Sequence, residues 1–83
     1  MSEQFKNAVR AVSASKKRVS QQAKLRLYGL YKQSTKPGQF GSSPKPKGVV
    51  AKAKYQAWAK TCGLSAADAQ HQYFITARKL GIL

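Results

Sequence analysis

The stretch from Leu25 to Thr35 places two tyrosines and a lysine at spacings that could recognise a ligand. If the stretch is helical, Tyr28, Tyr31 and Lys32 stand at i, i+3 and i+4 and therefore share one face. Leu25 lies one turn earlier on the same face. Such a face suits a ligand that is part hydrocarbon and part anion. The alternative is that both tyrosines are half-buried core residues and that Lys32 is solvated.

The chain holds few groups that could catalyse a covalent reaction. His71 is the only histidine, and the only acids are Glu3 and Asp68. This inventory offers no carboxylate pair for acid–base work and no cage for a hard metal ion. Ser65 and Asp68 match a helix-capping pattern, which explains them better than a role beside His71. We therefore predict a protein that is not an enzyme and has no catalytic or metal-binding residues.

The charge of the chain is strongly unbalanced. Its 83 residues include 16 lysines and arginines against two acids, for a formal net charge of +14. Such a chain attracts nucleic acids, anionic membranes and phosphorylated ligands. Cations interleave with tyrosines, as in platforms that stack nucleic-acid bases, but no helix-turn-helix spacing, zinc-ligand set or aromatic strand motif accompanies them. Charge alone predicts an anionic partner without identifying its class.

The cysteine content and the apolar runs bear on the compartment. Cys62 is the only cysteine, so no internal disulfide can form, and a reducing compartment is favoured. No apolar run approaches the roughly 20 residues of a membrane span, and the start lacks the apolar region of a secretory signal. The basic, serine-rich start superficially suggests a mitochondrial transit peptide, but its removal would delete the first helix of a minimal domain. We expect a cytoplasmic monomer.

Hydrophobic periodicity and capping residues predict an all-α fold without strands. The predicted helices span residues 3–14, 21–35, 49–62 and 66–80. Ser2, Ser20 and Ser65 are the expected N-caps, and Gly63 and Gly81 are the expected stops of the last two helices. The long loop over residues 36–48 carries all three prolines, and Phe40 is expected to pin its middle to the core.

The second and third helices carry further packing signals. The second is apolar on more than one side and should therefore lie centrally, and Gly29 within it suggests close approach of another helix or of a ligand. In the third helix, an apolar stripe runs through Ala51, Tyr55, Trp58 and Cys62. We predict that Cys62 is a small buried hydrophobe at the end of that stripe.

Two motifs resemble those of a known family. The run from Tyr28 to Gln33, YGLYKQ, closely resembles the YxxYKQ signature on the second helix of acyl-CoA-binding proteins. The run from Lys52 to Trp58, KAKYQAW, is similar to that family's K-A-K-W-x-A-W stretch. Further matching positions are Phe5, Ala8, Val12, Leu25, Ser65, Asp68, Ala69 and Tyr73. The resemblance covers essentially the whole chain, and it implies a single acyl-CoA-binding domain over residues 1–83, folded as an up-down-down-up bundle of four helices.

The resemblance also implies roles for individual residues at the nucleotide end of the ligand. In the family, the tyrosine matching Tyr31 stacks on the adenine. The lysines matching Lys32 and Lys54, together with the tyrosine matching Tyr28, hold the region of the 3′-phosphate. The tyrosine matching Tyr73 closes on the nucleotide side. This assignment agrees with the residue types, because ammonium and phenol groups hold a phosphate by charge-assisted hydrogen bonds.

For the acyl chain, the resemblance implies an apolar groove between helices, beside the positions of Ala8, Val9 and Leu25. The implied function is non-catalytic, one-to-one binding of medium- to long-chain acyl-CoA, serving intracellular transport and pool formation. Acyl-CoA is then the ligand, and no cofactor is expected. The alternative is a basic helical module that binds nucleic acid or anionic membranes, although no specific nucleic acid is expected.

The chain also departs from the family pattern. Ser13 stands where members usually have a basic residue near the end of the first helix, and the nearby Lys16, Lys17 and Arg18 are candidates to compensate. Tyr55 replaces the first tryptophan of the third-helix motif. Most members are near neutral or acidic. We expect the excess of cations either to attract the protein to anionic membranes or to speed the capture of a polyanionic ligand.

Overall fold

The computed structural model describes residues 2–83 and confirms the all-α prediction. Its helices are α1 (Glu3–Ala14), α2 (Gln21–Thr35), α3 (Val49–Ala59) and α4 (Ala66–Lys79), and a short 3-10 helix spans Phe40–Ser42. Residues 2–83 contain no strand. None of the helices in this range combines the length and the apolar character that crossing a bilayer requires.

Serine side chains begin three of the four helices, as predicted. The hydroxyls of Ser2, Ser20 and Ser65 each accept a hydrogen bond of 3.1 Å from the backbone N–H three residues later. Each satisfies one of the N–H groups that a helix start leaves without an intrahelical partner. The start of α3 differs: its N-cap is Gly48, with φ +90°, a conformation that residues with a Cβ rarely adopt.

The end of α3 corrects the prediction. The helix finishes at Ala59, three residues before Cys62, and a turn follows. The cause is Thr61, whose buried hydroxyl donates to the carbonyl of Gly29 on α2 at 3.0 Å and lies 3.1 Å from that of Trp58. Because this turn rotates the chain away from the apolar stripe, Cys62 is exposed, and the prediction that it is buried was wrong.

The two glycine stops have different outcomes. Gly63 does not have a positive φ, so it is not the left-handed C′ residue that we predicted. Gly81, with φ +76°, does stop α4, which ends one residue before the predicted Leu80. The N–H of Gly81 donates to the carbonyl of Arg78, and the N–H of Ile82 donates to that of Ala77, both at 3.0 Å. This is the Schellman arrangement.

Contacts between α1 and α4 show that these two helices are parallel. At one end of the bundle, the backbone N–H of Ser2 donates to Oε1 of Gln70 at 3.3 Å. At the other end, the Lys17 side chain lies over Gly81. α2 follows α1 through a short connector and therefore runs back in the opposite direction.

α3 runs in the same direction as α2. Gln22 and Leu25, early in α2, share a groove with Ala53, early in α3. Gln33, near the end of α2, hydrogen-bonds Trp58, near the end of α3. The up-down-down-up arrangement is thereby confirmed. The loop between α2 and α3 must cross back along the bundle, and Phe40 pins it through ring contacts with Trp58 (centroids 5.3 Å apart) and Tyr55 (4.7 Å), as predicted.

The core lies between α1, α2 and α4. Its buried members are Phe5, Ala8, Leu27, Leu30, Tyr73 and Ala77. α3 packs on α2 through Gly29, because a Cβ there would overlap the carbonyl of Ala57. The close approach predicted for Gly29 is therefore the approach of a helix, and it sets the spacing of the two helices that carry the signature motifs.

Candidate functional site

Two facing helices and the loop between them form a groove that contains three of the predicted site residues. Tyr28 and Lys32 of α2 face Lys54 of α3 across a cavity of about 230 Å³. We call this cavity the basic groove. Its lining is Tyr28, Lys32, Ser43, Pro44, Pro46, Ala51, Lys54, Tyr55 and Trp58. The groove exists because Gly29 brings α3 against α2 and because the loop closes one side.

Aromatic rings position the two ammonium groups of the basic groove. Nζ of Lys54 lies 5.3 Å from the centroid of the Tyr28 ring, and Nζ of Lys32 lies 4.8 Å from the centroid of the Trp58 ring. Both distances fall within the range of cation–π attraction. No carboxylate lines the groove. Within residues 2–83 the only salt bridge joins Lys6 to Glu3 on α1. The groove therefore presents two cations without a protein counter-ion.

A second cavity, of about 330 Å³, lies between α1, α2 and α4. We call it the apolar cleft. Its lining is Val9, Val12, Ser13, Lys24, Leu27, Tyr28, Tyr31 and Tyr73. Tyr28 also lines the basic groove, so the two cavities adjoin at this residue. A ligand with an anionic part and an apolar part could therefore occupy both.

Tyr31 offers an accessible aromatic surface at the edge of the apolar cleft. Tyr31 is 40% exposed to solvent. Its ring lies nearly parallel to that of Phe5, with the centroids 6.3 Å apart and an interplanar angle of 24°. Phe5 is buried and so supports the ring from the core side. The arrangement leaves Tyr31 able to stack with a flat ring from solvent.

Tyr73 contributes a buried ring to the same cleft. The residue is 3% exposed, and its ring meets Phe5 edge-on at 5.3 Å. Burial, with a smaller contribution from the neighbouring Tyr31 phenol, raises the pKa of Tyr73 to about 12. Its hydroxyl therefore stays protonated well above neutral pH and remains able to donate a hydrogen bond into the cleft.

The three residues predicted beside the acyl chain do not share one cavity. Val9 is half-buried and lines the apolar cleft. Ala8 is fully buried in the core beneath it. Leu25 lies elsewhere, in a groove of about 400 Å³ on the other flank of the contact between α2 and α3, which we call the outer groove; Arg26 and Ala53 also line it.

The structure also shows residues that the sequence argument did not select. Lys24 lines the apolar cleft together with Ser13, whereas Lys16, Lys17 and Arg18 do not. Lys24 is thus the cation that shares the cleft with Ser13, the position where members of the family resembled usually have a basic residue. Its position four residues before Tyr28, on the same helical face, was the signal available in the sequence.

Gln33 completes the YKQ motif but points away from both cavities. It is buried, its Nε2 donates to the carbonyl of Leu64 at 2.6 Å, and its Oε1 accepts from the Trp58 indole at 3.0 Å. The last residue of the signature therefore joins α2 to α3 and to the turn that precedes α4. Its function here is structural, since its polar atoms are all used within the fold.

Comparison with known proteins identifies relatives along most of the chain. A family model described as acyl-CoA-binding protein matches residues 2–77. The acyl-CoA-binding protein of Dictyostelium discoideum is 42% identical over 69 residues, covering 83% of this chain and 82% of the relative. The acyl-CoA-binding protein homolog of Drosophila melanogaster is 37% identical over 73 residues, covering 88% and 85%.

A solved structure gives the same result for the fold. The crystal structure of Oryza sativa acyl-CoA-binding protein 2 superposes with a TM-score of 0.78 at 27% identity, covering 94% of this chain and 85% of that one. A basic nucleic-acid-binding module is not favoured by these matches, which all point to one family.

Proposed function

The chain belongs to the acyl-CoA-binding protein family, and on that premise we propose that it binds medium- to long-chain acyl-CoA one to one as a single domain. Binding involves no catalysis and no cofactor, since the members of this family bind the thioester without converting it. The observation that carries the proposal is the basic groove, where Tyr28, Lys32 and Lys54 converge next to the apolar cleft. That junction offers adjacent sites for an anionic head and an apolar tail.

The phosphate end of the ligand is assigned to the basic groove. A phosphate monoester carries roughly −1.5 to −2 charges at pH 7. Lys32 and Lys54 face each other across the groove without a carboxylate in its lining, so a phosphate there would gain two ammonium partners. The Tyr28 hydroxyl is assigned the third contact. Charge-assisted hydrogen bonds of this kind are about twice as strong as neutral ones.

The adenine is assigned to Tyr31. Its ring is supported from behind by Phe5 and stays accessible from solvent. Stacking of a base on an aromatic side chain contributes about 1–3 kcal/mol in nucleic-acid complexes, and we expect a similar gain here. The protonated hydroxyl of Tyr73, in the same cleft, is assigned to the nucleotide side.

The acyl chain is assigned to the apolar cleft beside Val9, with the buried Ala8 forming part of the packed floor beneath. Each methylene removed from water should add about 0.8 kcal/mol, a factor of about four, until the cleft is filled. Leu25 offers the competing surface, in the outer groove. A Val9→Ser variant should weaken palmitoyl-CoA and leave CoA alone unchanged. If Leu25→Ser produces that pattern and Val9→Ser does not, the tail lies in the outer groove and this assignment is wrong.

Calorimetry with palmitoyl-CoA, CoA and a random oligonucleotide tests the function itself. We expect tight 1:1 binding of palmitoyl-CoA, much weaker binding of CoA, and a large loss in Lys54→Ala. Lys52→Ala is the matched control, because this exposed lysine lies on the same helix but does not line the basic groove. Equal affinity for palmitoyl-CoA and the oligonucleotide, both lost at moderate salt, would contradict the proposal.

The proposed setting is the cytoplasm, where a monomer would carry acyl-CoA and hold a pool of it. Cys62 supports a reducing compartment, because it is a free and exposed thiol without a partner cysteine in the chain. Gel filtration with light scattering, with and without palmitoyl-CoA, checks the monomer: a mass near 9.1 kDa is expected for the free chain, and that mass plus one ligand molecule for the complex.

A further inference from the structure

The bundle separates its charges along its axis. Because α1 and α4 are parallel, both begin at one end of the molecule, and that end holds both acids of the chain. Glu3 lies in the first turn of α1, and Asp68 lies in the first turn of α4. The same two helices finish at the opposite end, where Lys17 meets Gly81. No carboxylate side chain is available there, since the chain has no third acid.

The opposite end, which we call the basic end, gathers cations from three separate segments. α2 and α3 both begin there, so it includes the α1–α2 connector, the last turn of α4, and the loop that enters α3 together with the first turn of that helix. Its exposed cations are Lys16, Lys17, Arg18, Lys45, Lys47, Lys52, Arg78 and Lys79. The segments are distant in sequence, and only the fold brings them to one surface. This surface carries a dense positive charge that the sequence alone shows only as a total.

Two adjacent valines project from the basic end. Val49 is 86% exposed and Val50 is 67% exposed, in the first turn of α3. Single exposed apolar residues are common on protein surfaces and need no explanation. This pair is different, because it stands between Lys47 and Lys52 at the end of the bundle that has no acid.

We propose that the basic end docks on an anionic lipid bilayer, with Val49 and Val50 entering the boundary between headgroups and acyl chains. The surrounding lysines and arginines would meet the lipid phosphates, a contact that anionic membranes favour for each added cation. The valines favour a bilayer over nucleic acid, since a sugar–phosphate backbone offers apolar side chains little. A surface that combines cations with a small apolar tip fits an interfacial mode of binding.

Docking in this orientation would bring the basic groove close to the membrane. Pro44 and Pro46, on either side of Lys45, line that groove, as does Ala51, which follows the two valines. A ligand with an anionic head and a fatty tail could then pass between bilayer and groove along one continuous surface. This last consequence rests on the proposed function, whereas the docking itself does not.

Sedimentation with lipid vesicles, without any acyl-CoA, tests the docking. The full chain should bind vesicles of phosphatidylcholine with phosphatidylserine and should not bind phosphatidylcholine alone. Val49→Ser with Val50→Ser keeps the net charge and should lower the partition coefficient about tenfold, since less apolar surface is buried. Unchanged circular dichroism and thermal unfolding would show that this variant folds. Unchanged vesicle binding by the folded variant would overturn the proposal.

A pair of lysine variants tests the orientation. Lys45→Gln with Lys47→Gln should lower the partition coefficient about 25-fold, at about 1 kcal/mol for each cation near the bilayer. The matched control is Lys36→Gln with Lys60→Gln, which removes the same charge from exposed positions at the ends of α2 and α3, away from the basic end. The control should lose less than about fivefold, the effect of one such cation. Equal losses in the two double variants would mean that net charge alone drives binding, and the oriented docking would be wrong.

Two further measurements separate this proposal from its rivals. The first adds a 20-nucleotide single strand to the vesicle-bound protein. If the strand displaces the protein, and if it binds wild type and the valine variant with equal affinity, the basic end is a nucleic-acid surface and the docking is wrong. Palmitoyl-CoA calorimetry in vesicle-free buffer should be unchanged in the valine variant. If wild type fails to bind palmitoyl-CoA but still docks, the proposed function falls and the docking stands.

Discussion

The basic groove and the apolar cleft share Tyr28 as a lining residue but offer a ligand opposite kinds of surface. The groove, between α2 and α3, holds two ammonium groups over aromatic rings and no acid. The cleft, between α1, α2 and α4, is lined by aliphatic and phenolic side chains, by Ser13 and by the single cation Lys24. The groove should therefore bind by charge, and the cleft by burial and stacking. Contributions from residues that line only one of the two surfaces should add nearly independently.

The largest effect should come from removing the charge of the basic groove. Lys32→Ala with Lys54→Ala should weaken palmitoyl-CoA more than a hundredfold, because each charge-assisted hydrogen bond is worth about 1.5–3 kcal/mol. CoA alone should lose by the same factor, since the groove is assigned only the phosphate end. Lys36→Ala with Lys52→Ala is the control of equal charge, since both lysines are exposed and neither lines the groove. Calorimetry on both ligands checks this, and a loss confined to palmitoyl-CoA would break the division between the cavities.

The next effect concerns the stacking surface of the cleft. Tyr31→Ala should weaken the binding of palmitoyl-CoA by a factor of about 5 to 150, equivalent to about 1–3 kcal/mol of stacking. Tyr31→Phe keeps the ring and its support by Phe5, so it should bind nearly as well as wild type. Titrations at low and high salt should give the same loss for Tyr31→Ala. A loss that vanishes at high salt would show that Tyr31 acts through charge and not through stacking.

Gly29→Ala should affect the two cavities unequally. The added methyl group would overlap the Ala57 carbonyl and push α3 from α2, which we expect to lower the free energy of unfolding by about 2 kcal/mol. Gly41→Ala is the control, since no residue beyond its two chain neighbours has an atom within 4 Å of the added methyl there. Urea unfolding measures stability. CoA affinity should fall, because it depends on the spacing of α2 and α3. Equal CoA affinity in a destabilised Gly29→Ala would contradict the assignment of phosphate to the groove.

The smallest effect is a titration that appears only at high pH. Tyrosines in an unfolded chain ionise near pH 10, whereas the folded state raises the pKa of Tyr73 to about 12. The folded state therefore favours the neutral phenol. The stability that this provides is complete below about pH 10 and is lost as the pH rises through about 12. Ultraviolet absorbance should show one of the four tyrosines ionising late, and Tyr73→Phe should remove that step. A late step that survives in Tyr73→Phe would assign the raised pKa to another tyrosine.

The features predicted best from the sequence are those that depend on near neighbours. Ser2, Ser20 and Ser65 set three helix starts because each caps an N–H three residues away. The end of α3 depends instead on the bond from Thr61 to Gly29, 32 residues apart, which no local pattern shows. Because of this bond, the predicted third helix is too long at its C-terminal end, and the prediction that Cys62 is buried is wrong.

The same distinction applies to the candidate site. Helical spacing predicted that Tyr28 and Lys32 share one face, and the resemblance to the family motif assigned Lys54 of α3 to the same site. All three residues line the basic groove. Helical spacing also predicted Leu25 on that face. The groove that a residue lines depends, however, on the helix packed against it. In the structure Leu25 lines the outer groove. Lys24 was missed for the same reason, since its relation to Ser13 exists only once α1 and α2 are packed.

The contacts of Trp58 have a practical consequence. It is the only tryptophan in the chain, and its indole packs against Phe40, bonds Gln33 and lies beneath the ammonium of Lys32. An anion that draws that ammonium away changes the electric field at the indole, and with it the colour and brightness of the emitted light. The protein thus carries its own fluorescent reporter of groove occupancy, which permits stopped-flow measurements of ligand arrival and departure without any attached dye.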